Sequence, residues 1–180
     1  DTFWNIHGLT EPKTSDVGFV ATREMLRWAS EYLNRAGESF ILAAIGASKE
    51  VKQWPAVRWI EFVEYASERG ILIVLAGDGP EEEAKAHEIE SATASPKLVN
   101  MVGKVPLSFL AGVVAKARLV IAGDTGILNM ARIMGVPSLA LLGPTGLPAG
   151  PGLMEPGQIF YADCPEINCG RHRCPQDCLG

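Results

Sequence analysis

Apolar positions follow two alternating patterns along this chain, and the alternation predicts its architecture. In residues 22–36, TREMLRWASEYLNRA, the residues Met25, Leu26, Trp28, Ala29, Tyr32 and Leu33 recur at helical spacing, and Gly37 follows as a stop. The next block, SFILAAIGAS, is a continuous apolar run of strand length, the pattern of a strand covered on both faces. PAVRWIEFVEYASERG returns to helical spacing through Trp59, Phe62, Val63 and Ala66, with Pro55 to open it and Gly70 to close it. The unit then recurs: ILIVLAG, DGPEEEAKAHEIESA, KLVNMVG, PLSFLAGVVAKA, RLVIAG, DTGILNMARIMG and VPSLALLG. Buried strands alternating with amphipathic helices predict an α/β fold, a doubly wound parallel sheet with right-handed crossovers. Beyond Gly143 the chain turns rich in Pro, Gly and Cys, with one further strand expected at QIFYA.

With 180 residues, 47% of them hydrophobic, the chain is long enough for one domain with a core and short for two. A net charge of −5, with its basic residues scattered, argues against nucleic acid as a partner. No apolar run reaches the roughly 20 residues of a transmembrane helix. The opening DTFWNIHGL resembles neither a signal peptide nor a natural start, so the chain is expected to be a piece of a longer protein.

In open α/β sheets ligands bind beyond the carboxyl ends of the strands, which reduces the search to three seams. The first, GASKEVKQWP, offers the hydroxyl of Ser48 and the ammonium of Lys52, a pair suited to a phosphate, although each alone fits a solvated loop. The second, AGDGPEEEAKA, has half of a dinucleotide glycine pattern, but its helix opens Glu81-Glu82-Glu83. Carboxylates there complement the helix dipole and repel phosphate, so this seam suits sugar hydroxyls, with Glu81 as acceptor because it lies nearest the turn. The third, GDTGILNM, sets Asp124 and Thr125 before Gly126 and Ile127 in a helix whose first turn carries no acid. Taken alone it reads as an Asp- or Thr-capped helix; beside the other two it becomes a seat for a diphosphate.

GASKEVKQWP, GDGPEE, the long segment VGKVPLSFLAGVVAKARLVIAGDTGILNMARIMGVPSLALLGPT and the cysteine-rich end, in this order, resemble the carboxy-terminal half of the heptosyltransferases, glycosyltransferase family 9. The resemblance covers residues 38–180. It implies one Rossmann-like half of a GT-B enzyme that takes a sugar from an ADP-sugar, commonly ADP-heptose, and passes it to a lipopolysaccharide-core acceptor in the cytoplasm, peripheral to the inner membrane. By the same resemblance Ser48, Lys52, Asp124, Thr125, Gly126 and Ile127 meet the donor diphosphate or sugar, with Lys52 and Asp124 as catalytic residues. Glu81 meets the ribose and Val105 packs on the adenine. The family usually has His where this chain has Asn129, which puts donor affinity or identity in question. No cofactor is implied. The acceptor domain and its general base are expected in a missing amino-terminal region. The implied domain limits are residues 1–37 as linker and helix, 38–162 as the donor-binding domain and 163–180 as the tail.

In that tail Cys164, Cys169, Cys174 and Cys178 are separated by four, four and three intervening residues. Four thiolates in a segment with little core can hold a structural zinc, and an iron–sulfur cluster, disulfides or free thiols stay open. Two other readings of the whole remain: a non-catalytic nucleotide or nucleotide-sugar binding module, and half of a UDP-sugar epimerase-like enzyme.

Overall fold

A computed structural model describes residues 19–33, 39–47, 52–142 and 159–161. Within them lie helices α1 (Arg23–Leu33), α2 (Ala56–Glu68), α3 (Pro80–Thr93), α4 (Leu107–Lys116) and α5 (Gly126–Ile133), and strands β1 (Phe40–Ala44), β2 (Leu72–Ala76), β3 (Leu98–Asn100), β4 (Leu119–Ala122), β5 (Ser138–Leu142) and β6 (Ile159–Tyr161). Every strand pairs parallel to its neighbours, in the order β3-β2-β1-β4-β5-β6. This is the doubly wound sheet expected from the βα alternation, and its strand order is the Rossmann one.

The sheet explains why the strands read as unbroken apolar runs. Successive residues point to opposite faces, and both faces are covered. Leu42, Leu72, Val74, Val120 and Leu142 enter a core with Ala29 and Leu33 of α1, Val113 and Val114 of α4, and Leu128 and Ala131 of α5. Ala43, Ile73, Leu75, Ile121 and Leu141 enter the opposite core with Trp59, Val63 and Ala66 of α2 and Ala86 and Ile89 of α3. The chain thus runs β1-α2-β2-α3-β3 along one face, then crosses by α4 to begin β4 on the far side of β1. That reversal leaves a crevice beyond the carboxyl ends of β1 and β4.

The expected stops are where they should be: α2 ends at Glu68, and Gly70 takes φ +69°, the left-handed conformation that closes a helix cheaply. β1 is shorter than its apolar run: Ile45, just past its end, is buried and still donates its N–H to the Ala76 carbonyl of β2 at 3.1 Å. Helix α1 crosses α4 at backbone distance, since a Cβ at Gly112 would overlap the carbonyl of Met25. Trp28 of α1 stacks on Tyr32 at 4.7 Å and on Phe109 of α4 at 5.0 Å. No helix among the described residues is long and apolar enough to cross a membrane.

Candidate donor site

A cavity of about 570 Å³ lies in the crevice at the strand ends. Its polar wall is Asp78, Glu82, Asp124 and Thr125, and its glycine floor is Gly46, Gly77 and Gly126. Val105, Leu107, Leu110, Ile127 and Met130 make the apolar wall opposite. All three seams marked in the sequence therefore converge, as the switch in strand order requires.

The β1 and β4 seams are joined directly. Lys52 donates from Nζ to Asp124 Oδ2 at 3.0 Å, linking segments 72 residues apart, with the two side chains 12% and 30% exposed. The loop that delivers Lys52 is held from α3: Gln53 donates to the Ala47 carbonyl at 3.0 Å, and Lys85 donates to Gln53.

Thr125 occupies the N-cap of α5 in extended conformation, φ −136° and ψ 166°, but its side chain makes no capping bond. The ordinary-cap alternative for this seam does not hold: the Asp124 carboxylate turns to Lys52, and Thr125 Oγ1 is buried with no hydrogen-bond partner among the described residues. A buried hydroxyl left in this state costs about 1–3 kcal/mol, and the residue that carries it lines the cavity. The first turn of α5 carries no acid, and its leading N–H groups have no partners within the helix.

The β2 seam is built the other way. Glu82, third residue of α3, reaches back to accept the Asp78 N–H at 2.8 Å. Its carboxylate fills the space that a Cβ on Gly46 or Gly77 would need. Glu81, expected to face the turn, is exposed and does not line the cavity. A residue at the second helical position points outward here, whereas the third position is the one from which a Glu side chain returns to the helix entrance. That rule was the available signal for Glu82.

Val105 and Ile127 line the cavity, and the sequence gave no sign of Leu107, Leu110 and Met130 beside them. Asn129 is exposed and does not line the cavity. Farther along α5, partial burial lowers the pKa of the Arg132 guanidinium. Ser48 and Cys164, Cys169, Cys174 and Cys178 lie outside the described residues. Among the described residues no group of three His, Cys, Asp or Glu is placed to hold a metal ion.

The family model for glycosyltransferase family 9 (heptosyltransferase) matches residues 8–179. The chain belongs to this family. Among curated proteins it is 31% identical to lipopolysaccharide heptosyltransferase 1 of Escherichia coli K12 over 147 residues, which cover 82% of this chain and 42% of that protein. It is 30% identical to the Pseudomonas aeruginosa PAO1 protein of the same name over 143 residues, 77% of this chain and 38% of that one. The chain thus spans well under half the length of the family members it matches. Among solved structures, a family 9 glycosyl transferase from Veillonella parvula superposes with a TM-score of 0.69 at 26% identity, covering 79% of this chain and 42% of the other. An E. coli heptosyltransferase described with ADP-2-deoxy-2-fluoro heptose shares the fold, with a TM-score of 0.58 at 24% identity over 83% of this chain and 44% of that one.

Proposed function

We propose that this family 9 chain is the donor-binding half of an inverting glycosyltransferase that moves a heptose, or a similar sugar, from an ADP-sugar to a lipopolysaccharide-core-like glycolipid. The observation that carries this reading is the unpartnered Thr125 hydroxyl at an acid-free helix N-terminus lining the cavity, with the Lys52 ammonium bonded to the adjacent Asp124. A diphosphate is the ligand that uses all three, because it brings several acceptor oxygens and negative charge to donors already in place. The E. coli relative described with an ADP-sugar analogue supports the choice of nucleotide.

In this reading Lys52, Ser48, Thr125 and the leading N–H groups of α5 hold the diphosphate, with Gly126 letting it approach the backbone. Val105 and Ile127 pack the base. Asp124 accepts from sugar hydroxyls. The ribose diol lies by the first turn of α3, where Glu82 lines the cavity and is engaged with Asp78, and Glu81, one residue away, has no hydrogen bond or ion pair among the described residues. Exchanging each for Gln separates the two: the acid that meets the ribose is the one whose loss weakens ADP more than 2′,3′-dideoxy-ADP.

During transfer the bond from the anomeric carbon to the terminal phosphate oxygen breaks, and its electron pair leaves with the diphosphate. A new bond forms to the acceptor oxygen, whose proton goes to a base. Lys52 and the α5 N-terminus stabilise the charge that grows on the leaving group, an interaction stronger in the transition state than in the ground state. The acceptor site and the base are assigned to an amino-terminal domain outside these residues. The limits 1–37, 38–162 and 163–180, a cytoplasmic site of action at the inner-membrane surface and a structural zinc at the four cysteines complete the proposal. No step uses the metal, and elemental analysis of protein purified under reducing conditions tests it.

Calorimetric titration with ADP, UDP and their sugar conjugates tests the donor assignment. ADP and ADP-heptose are expected to bind below the millimolar range. Absence of any binding overturns the reading, and binding of UDP alone transfers the chain to the epimerase-like alternative.

A further inference from the structure

We propose that Asp124 is the residue by which this site distinguishes the intact donor from the spent nucleotide; the inference rests on the donor-site reading above. Three observations lead to it. The Asp124 carboxylate accepts from Lys52 Nζ at 3.0 Å. It lines the cavity next to the orphaned Thr125 hydroxyl, so the group that needs an anionic or polar partner and the fixed negative charge share one wall. The other charged residues on that lining, Asp78 and Glu82, are also acids, so Lys52 reaches the site through Asp124.

An incoming diphosphate must share Lys52 with Asp124 or take it away. An ammonium has three protons to donate, so sharing is chemically open, and in either case the carboxylate's charge acts on the ligand. The two ligands of the cycle feel that charge differently. A sugar ester of a nucleoside diphosphate carries one negative charge on each phosphate. In the free nucleoside diphosphate the terminal phosphate loses a second proton with a pKa near about 6, so above neutrality it carries almost a full extra charge. That charge appears on the group from which the sugar has just left. The intact donor also presents the hydroxyls of the transferable sugar, from which a carboxylate can accept; the free nucleotide has lost these and keeps only its ribose diol, which the donor-site reading places by α3. Repulsion of the product and hydrogen bonding to the donor have the same sign. Asp124 thereby opposes retention of ADP after transfer, while Lys52 and the α5 N-terminus retain the phosphates of both ligands.

The test compares the parent chain, D124N and D124S by calorimetric titration with ADP and with ADP-heptose at pH 8 and low salt, without acceptor. Both variants are expected to bind ADP about tenfold more tightly than the parent and to bind ADP-heptose no more tightly, so that preference for donor over product falls at least tenfold. A general loosening of the fold weakens both ligands and cannot produce that divergence. ADP binding that is unchanged or weaker in every variant that folds overturns the inference. Failure of the parent to bind ADP at all overturns the donor-site reading instead.

Discussion

The seam between β4 and α5 and the seam between β2 and α3 are spelled almost alike, Gly123-Asp124-Thr125-Gly126 and Gly77-Asp78-Gly79-Pro80, yet they are opposite pieces of chemistry. At α3 the chain satisfies itself: three acids fill the first turn, and Glu82 takes the Asp78 N–H and lies against Gly46 and Gly77. At α5 the chain leaves its helix entrance open. No acid occupies the first turn, the Thr125 hydroxyl has no partner, and the nearby carboxylate is held by Lys52. A strand-to-helix turn with Gly and Asp is therefore not a ligand site by its letters. What the following turn of helix does with its own N–H groups decides.

The largest test of this contrast is Lys52→Met, which removes the cation and leaves the Asp124 carboxylate facing the same space unpaired. Hydrogen bonds to charged groups are worth about 1.5–3 kcal/mol, so ADP affinity is expected to fall about a hundredfold by titration calorimetry. Adding D124N to that variant should return part of the loss; no recovery contradicts the opposition of the two charges.

Gly126→Glu makes the α5 entrance resemble that of α3. A side chain at Gly126 meets nothing within 4 Å, and the residue is not in the left-handed region, so the fold accommodates it. An acid in the first turn should stabilise the helix by about 0.3–1 kcal/mol in thermal unfolding while lowering ADP affinity about thirtyfold. The opposite signs are the point: unchanged ADP affinity would remove the diphosphate from this helix end.

Glu82→Ala opens the other seam. It strips the exposed Asp78 N–H of its acceptor and empties the space over two glycines, at an expected cost of about 0.5–1.5 kcal/mol in denaturant unfolding. Thr125→Val gives the reverse balance. Because the hydroxyl has no hydrogen-bond partner among the described residues, its removal should leave stability unchanged or slightly raised and weaken ADP about tenfold; equal losses in both measurements would make Thr125 a structural residue.

The fold was legible because each level of the sequence agrees. Strand residues divide between two cores by simple alternation, as Leu42 and Ala43 do, and a left-handed glycine follows α2 where the helical pattern stops. The convergence of the three seams was also legible, since it depends on strand order alone. The choice of Glu82 over Glu81 on the cavity wall turns on one step of helix phase, which the three-acid run hides. The Lys52–Asp124 bond joins residues 72 positions apart, and no local pattern carries a contact of that reach. The missing cap bond at Thr125 was not legible, because its residue type states a preference for capping, while its actual partner is decided by the space around it.

The smallest effect sharpens the comparison at Asn129, where the resemblance led to an expectation of His. Asn129 lies on the first turn of α5, exposed, where it contributes no charge to a helix end otherwise prepared for an anion. Asn129→His introduces a side chain that titrates near about 6.5, and a bound diphosphate would raise that value. Below it the imidazolium adds attraction to the same end of the site that Lys52 serves; above it the ring is neutral and the gain disappears. The expected result is ADP binding about threefold tighter than the parent at pH 6 and equal to it at pH 8, because an exposed charge is screened by solvent. Titration calorimetry at the two pH values measures the difference. A gain that persists at pH 8 would mean that shape or hydrogen bonding at position 129, rather than charge, limits how well this helix entrance holds a nucleotide.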